Sequence, residues 1–209
     1  MQQIKDKSLQ QFLDELASKA ATPGGGSAAA IMGSTSAALI SMVCNLTIGK
    51  SKFAEVETDM QALLQKSEAL REKFTGMIKA DAEAFDQVMA AYGLPKATEA
   101  EKDQRSEEIQ HALKAATEVP LACVRACSEV ISLSREAAEK GNPNVISDAG
   151  VAVIAGFSAL KSAALNVYIN AGAIKDQAFA QARLDELERI LKDSDVETEE
   201  IYKCVKDQL

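Results

Sequence analysis

VETDMQALLQKSEALREKFTGMIKADAEAFDQV, residues 56–88, is the stretch that decides the fold. Val56, Met60, Leu63, Ser67, Leu70, Phe74, Met77, Asp81, Phe85 and Val88 follow one another at intervals of three and four. That spacing gathers them on one face of a helix. It is close to a heptad seam, and extended over 52–92 it predicts a helix long enough to need near-antiparallel neighbours. Gly93-Leu94-Pro95-Lys96 then breaks the helix.

The same periodicity extends to both ends of the chain. A first helix is expected over 8–20, with Leu9, Phe12, Leu13 and Leu16 as its apolar stripe. A second is expected over 27–46, with Ser27 as its N-cap and Gly49 and Lys50 past its end. A fourth should run over 99–140, kinked or divided at Pro120. After the turn at Gly141-Asn142-Pro143-Asn144, a fifth opens at Ser147 or Asp148 and continues to Ala171. Two amphipathic helices, 175–191 and 195–206, complete the chain. The expectation is an all-α, long-helix bundle with antiparallel helices, one domain over residues 1–209, forming a homodimer.

Composition agrees with that class. Of 209 residues, 47% are apolar and only 4% aromatic, with no Trp, a mix that packs helices through small residues. The formal net charge of −8 and the lack of a basic stripe exclude a nucleic-acid binder. Cys44, Cys123, Cys127 and Cys204 fall in predicted helices without a zinc pattern, so they read as small hydrophobes in a reducing compartment. The opening Met1-Gln2-Gln3-Ile4-Lys5-Asp6-Lys7 has no signal-peptide apolar core. A cytoplasmic protein is expected.

No charged residue occurs from Ala20 to Gly49. Length alone allows a membrane span there, but the Gly, Ser, Thr and Asn content argues for a buried helix. The helix ending at Ala171 is almost as free of charge, with Lys161 its one cation after Asp148. Two such helices exceed what one small bundle must bury, hence the expected homodimer. Thr22-Pro23-Gly24-Gly25-Gly26-Ser27 leads into the first of them. A Gly-rich turn at a helix N-terminus offers free N–H groups to an anionic or carbonyl-bearing ligand; equally, it is a flexible connector.

Asp81 is the one carboxylate on the seam. An apolar position is costly for a charge unless it is paired or hydrogen-bonded. Burial raises a carboxyl pKa toward the range of a general acid or base. The alternative is a carboxylate that caps a neighbouring helix or pairs with an Arg. Asp148 suits a helix first turn, and Asn142, Asn144 and Ser147 make that turn polar. Ser162, Asn166 and Asn170 recur every four residues. Buried amides need partners, so these either tie helices together or read a heterocycle. Lys50, Lys52, Lys96 and Arg105 lie near helix ends and read first as solvated charges. His111, the single histidine, sits among acidic residues, so no Ser-His-Asp or Cys-His pair is available. Phosphate-loop, dinucleotide and metal-ligand spacings are absent.

Taken in order, Thr22-Pro-Gly-Gly-Gly-Ser27, Leu46-Thr-Ile-Gly-Lys50, Asp81-Ala-Glu-Ala-Phe85, Leu94-Pro-Lys96, Gly141-Asn-Pro-Asn144, Ser147-Asp-Ala-Gly150 and Asn166-Val-Tyr-Ile-Asn170 resemble the cyclodeaminase/cyclohydrolase family of folate enzymes. The resemblance covers residues 8 to 205. It implies an all-helical homodimer acting on one-carbon units at N5 and N10 of tetrahydrofolate, with Asp81 catalytic and no metal or other cofactor. It also implies that Pro23, Gly24, Gly25, Gly26, Ser27, Asn144, Asp148, Asn166 and Asn170 line the folate pocket. Lys50 or Lys96 would meet the glutamate tail. The reaction implied is hydrolysis of 5,10-methenyltetrahydrofolate to 10-formyltetrahydrofolate, or cyclodeamination of the 5-formimino derivative. A non-catalytic helical scaffold is the reading from another class.

Overall fold

The structure is a computed structural model and describes residues 4–209; Met1, Gln2 and Gln3, where the stretch read for a leader begins, lie outside it. Among the described residues there are six α-helices and no strand: α1 Leu9–Leu16, α2 Gly25–Asn45, α3 Glu57–Tyr92, α4 Glu99–Lys140, α5 Ile146–Gly172 and α6 Gln177–Lys206. Short turns join α3 to α4, α4 to α5 and α5 to α6, so successive helices reverse direction. α5 lies in the middle, packed on α2, α4 and α6, and α3 closes the bundle against α2 and α4.

Local chemistry fixes the ends. Thr98 accepts from the Glu101 N–H while Glu101 accepts from the Thr98 N–H, a capping box that starts α4. Ser8 and Gln11 build the same device before α1. The core is aliphatic, with Ile40, Met60, Leu63, Leu121, Ile131, Leu160, Leu187 and Phe74 fully enclosed. Phe74 packs closely against α2 because Gly33 has no side chain; a β-carbon there would stand 2.5 Å from its ring. The 18-residue windows of α2 and α5 that are apolar enough to span a membrane are 56% and 50% buried inside the bundle, and the two helices pack on each other as core elements.

Several expected boundaries move. α1 stops at Leu16, not Ala20, and only Phe12 of its stripe is buried. α3 begins at Glu57, after a 3₁₀ turn Ser51–Val56 in which Phe53 is non-helical. Pro120 does not divide α4, which runs unbroken. The last two expected helices are a single one, α6. Ser194 and Thr198 are buried hydroxyls that continue the stripe of Leu187, Ile190, Ile201 and Val205, so a polar interval in the sequence is a continuous inner face in space. Cys44, Cys123 and Cys127 are buried free thiols, and Cys204 is half-buried. Burial pushes the Cys44 thiol up to about 12.

Candidate active site

Residue 24 is the N-cap of α2. Gly24 is extended there and supplies no side-chain cap, so Ser27 is not the cap that the sequence suggests. It lies one turn inside, fully enclosed, and its hydroxyl donates to Asp81 Oδ2 at 3.0 Å. Gly26 makes the approach of α3 to this turn close: a β-carbon on Gly26 would stand 2.0 Å from Asp81 Oδ1. Asp81 therefore rests on the first turn of α2, where free N–H groups and the positive dipole end favour an anion. Among the described residues no cation pairs with it; Ser27 is its side-chain partner.

Burial raises the Asp81 pKa, and the hydroxyl and backbone N–H of Ser27 draw it part of the way back. Behind the carboxylate, Gly26, Ala30, Met77, Val119, Pro120, Cys123 and Ala163 leave only about 10 Å³ of free space. In front is a cavity of about 370 Å³. α3 lines it with Asp81, Phe85, Val88 and Tyr92, α4 with Leu113, Ala116, Val119 and Pro120, and α5 with Asn166, Ile169 and Asn170.

The cavity exists because α2 begins at Gly25, opposite Asp81. Before that point α2 covers the α3 seam, and Met60 through Phe74 are buried. Beyond it nothing from α2 covers the seam, so Phe85 is 39% exposed and Tyr92 44%. Asp81 is thus half-buried at the border of core and cavity, not inside a closed seam. A carboxylate with a raised pKa, one hydroxyl donor and open space before it can take and return a proton.

Asn166 and Asn170 share this cavity. Asn170 Nδ2 donates to the Ala116 carbonyl at 2.8 Å, so this amide ties α5 to α4 while lining the cavity. Asn166 Nδ2 donates to Ser162 O in its own helix at 3.2 Å. Pro23 is buried before the α2 turn, and Gly25 lies 4.0 Å from Asn166 Nδ2, measured from a built β-carbon.

Lys50, Asn144 and Asp148 are not among the residues that line this cavity. Asn142 donates through Nδ2 to Leu46 O and through its backbone N–H to Thr47 Oγ1, pinning the α4–α5 turn to the C-terminal end of α2. Twenty helical residues separate that end from the Gly-rich turn, about 30 Å. Lys96 is exposed in the α3–α4 connection and is not among the cavity's lining residues. The aromatic wall of Phe85 and Tyr92 and the role of Pro120 escaped the sequence reading, which placed Phe85 and Val88 in the core. The free edge left by a late-starting α2 was the available signal.

A family described as formiminotransferase-cyclodeaminase matches residues 8–189. The methenyltetrahydrofolate cyclohydrolase of Methylorubrum extorquens is 59% identical over 204 residues, covering 98% of this chain and 98% of that one. The formimidoyltransferase-cyclodeaminase of Rattus norvegicus is 33% identical over 193 residues, and the match spans 92% of this chain but 36% of that longer protein. The crystal structure of formiminotetrahydrofolate cyclodeaminase from Thermotoga maritima superposes with a TM-score of 0.84 at 32% identity, covering 99% of this chain and 98% of the other.

Proposed function

The chain belongs to the formiminotransferase-cyclodeaminase family, and from that membership we propose that it hydrolyses 5,10-methenyltetrahydrofolate to 10-formyltetrahydrofolate. The observation that carries this choice is the 59% identity, over 98% of both chains, with a methenyltetrahydrofolate cyclohydrolase. The substrate's reacting carbon lies between N5 and N10 in a cationic N–C–N unit. A cavity with one carboxylate at its border and, among the described residues, no cation in its lining suits such a centre.

Asp81 takes a proton from water as the water oxygen adds to the carbon. The adduct is tetrahedral and neutral. Asp81 returns that proton to N5, the C–N5 bond breaks, and the remaining hydroxyl proton leaves as the formyl carbonyl forms on N10. Water and the methenyl cation thus give 10-formyltetrahydrofolate and one proton, with no other reactant. Ser27 keeps the carboxylate oriented between the two transfers. Phe85 and Tyr92 offer faces for the p-aminobenzoyl ring.

A second reading is favoured by the match to the Thermotoga maritima cyclodeaminase along nearly the whole chain. There N10 attacks the formimino carbon on N5, and Asp81 carries a proton to the departing ammonia. Both reactions pass through a tetrahedral carbon between N5 and N10. Absorbance decay of 5,10-methenyltetrahydrofolate, measured beside ammonia release from 5-formiminotetrahydrofolate, tests the two together. Rapid decay without ammonia release is the expected result. The reverse would transfer the assignment to cyclodeamination.

The same reading takes the protein to be a cytoplasmic homodimer that needs no metal or redox cofactor and does not act on nucleic acid or at a membrane. Four free cysteines suit a reducing compartment. Val151, Ile154, Leu165 and Ile169 form an exposed apolar stripe on α5, and Met42 and Leu46 are exposed on the adjoining α2, surfaces that a second copy would cover. A monomer mass by sedimentation at micromolar concentration would contradict this.

A further inference from the structure

Pro120 has no backbone N–H. In a continuous helix that leaves the carbonyl of Ala116, four residues earlier, without its helical donor. Asn170 Nδ2 on α5 donates to this oxygen at 2.8 Å. A carbonyl oxygen only accepts, so the amide must turn its NH₂ group toward α4 and cannot be flipped. Among the described residues no protein donor engages Asn170 Oδ1. Ala116, Pro120 and Asn170 all line the cavity that holds Asp81. The missing N–H of a proline on one helix therefore fixes the polarity of a side chain on another.

We propose that Pro120 and Asn170 form a positioning pair: the carbonyl freed by Pro120 orients the Asn170 amide so that Oδ1 accepts an N–H from the substrate's reduced pterin ring. This rests on the tetrahydrofolate reading above. Pro120 is the positioning residue and Asn170 the one that contacts the ligand. The buried proline, otherwise unfavourable in a helix interior, thereby has a use in recognition.

The test is a double-mutant cycle of Pro120→Ala, Asn170→Ala and both, read by KM and kcat on 5,10-methenyltetrahydrofolate and by Tm. Pro120→Ala restores an N–H at position 120, which bonds Ala116 O within α4 and releases Asn170. Its Tm should hold or rise while KM rises about tenfold, the worth of one hydrogen bond, with kcat little changed. Asn170→Ala should raise KM similarly but lower Tm, because Ala116 O is left unsatisfied. In the double variant Tm should recover and KM should be no worse than for Asn170→Ala alone. Wild-type KM in Pro120→Ala, or KM losses that multiply in the double variant, would overturn the pairing. A wild-type protein inert toward both folate substrates would instead overturn the functional reading, and the pterin contact with it. The Tm cycle would still read the Ala116–Asn170 bond. If Asn170→Ala does not fold, Pro120→Ala alone decides the matter.

Discussion

Gly26→Ala should abolish most of the activity while leaving the fold intact. The added β-carbon would stand 2.0 Å from Asp81 Oδ1, 2.5 Å from Cγ and 2.8 Å from Oδ2. Ordinary contact begins near 3.4 Å, so Oδ1 must retreat by 3.4 − 2.0, about 1.4 Å. That retreat takes the carboxylate off the 3.0 Å hydrogen bond from Ser27 and away from the first turn of α2. A displacement of about 1 Å at a reacting group costs on the order of 10²-fold in rate. The backbone does not object: Gly26 is helical without a positive φ, and Ala is the better helix former by about 1 kcal/mol. That gain offsets part of the clash. The assay is kcat on 5,10-methenyltetrahydrofolate together with Tm. Gly76→Ala is the control, because a β-carbon there meets nothing within 4 Å; it should raise stability slightly and keep full activity. Near-wild-type kcat in a folded Gly26→Ala protein would refute the claim that this glycine sets the position of Asp81.

Asp81→Asn should melt higher than wild type at neutral pH. The folded pKa of Asp81 lies above its unfolded value because of burial, so the folded state holds the proton more tightly. Wild-type stability then falls as pH rises from the unfolded carboxylate range to the folded value, and stays lower beyond it. Thermal melts across pH check this; the gap should close in acid, and a variant that melts lower at pH 7 would contradict it. Ser27→Ala removes the hydroxyl that favours the ionised form. It should move the acid limb of the pH–rate profile to higher pH, and an unmoved limb would exclude Asp81 from that limb. Phe74→Ala empties the fully enclosed site over Gly33 and should cost about 3–5 kcal/mol in denaturant unfolding, with the residual activity of the folded fraction unchanged.

The bundle was legible because a period of three and four over 33 residues, 56–88, has no competing interpretation. Asp81 was legible for the same reason, as a charge on an otherwise apolar face. The stripe could not show that its neighbour ends there. Phe85 and Val88 obey the same spacing as Leu70 and Phe74, yet α2 covers only the earlier pair. Chain reversal sorts the remaining candidates. In an antiparallel bundle the start of α2, the later part of α3 and the end of α5 meet at one end, whereas Lys50, Asn144 and Asp148 go to the other. Motif spacing carries no such information. Ser194 and Thr198 read as a break because burial of a hydroxyl depends on what packs against it. The amide lock at Asn170 joins residues more than fifty positions apart, and only the folded chain reveals that Pro120 has made Ala116 O available.

The most direct test of the account is the decay of 5,10-methenyltetrahydrofolate absorbance under single-turnover conditions, for wild type and for Asp81→Asn with its fold checked by melting. Rapid decay in the wild type and a loss of at least about 10²-fold in the variant is the predicted result. Equal rates in the two proteins would remove Asp81 from the chemistry and contradict the site assigned to it.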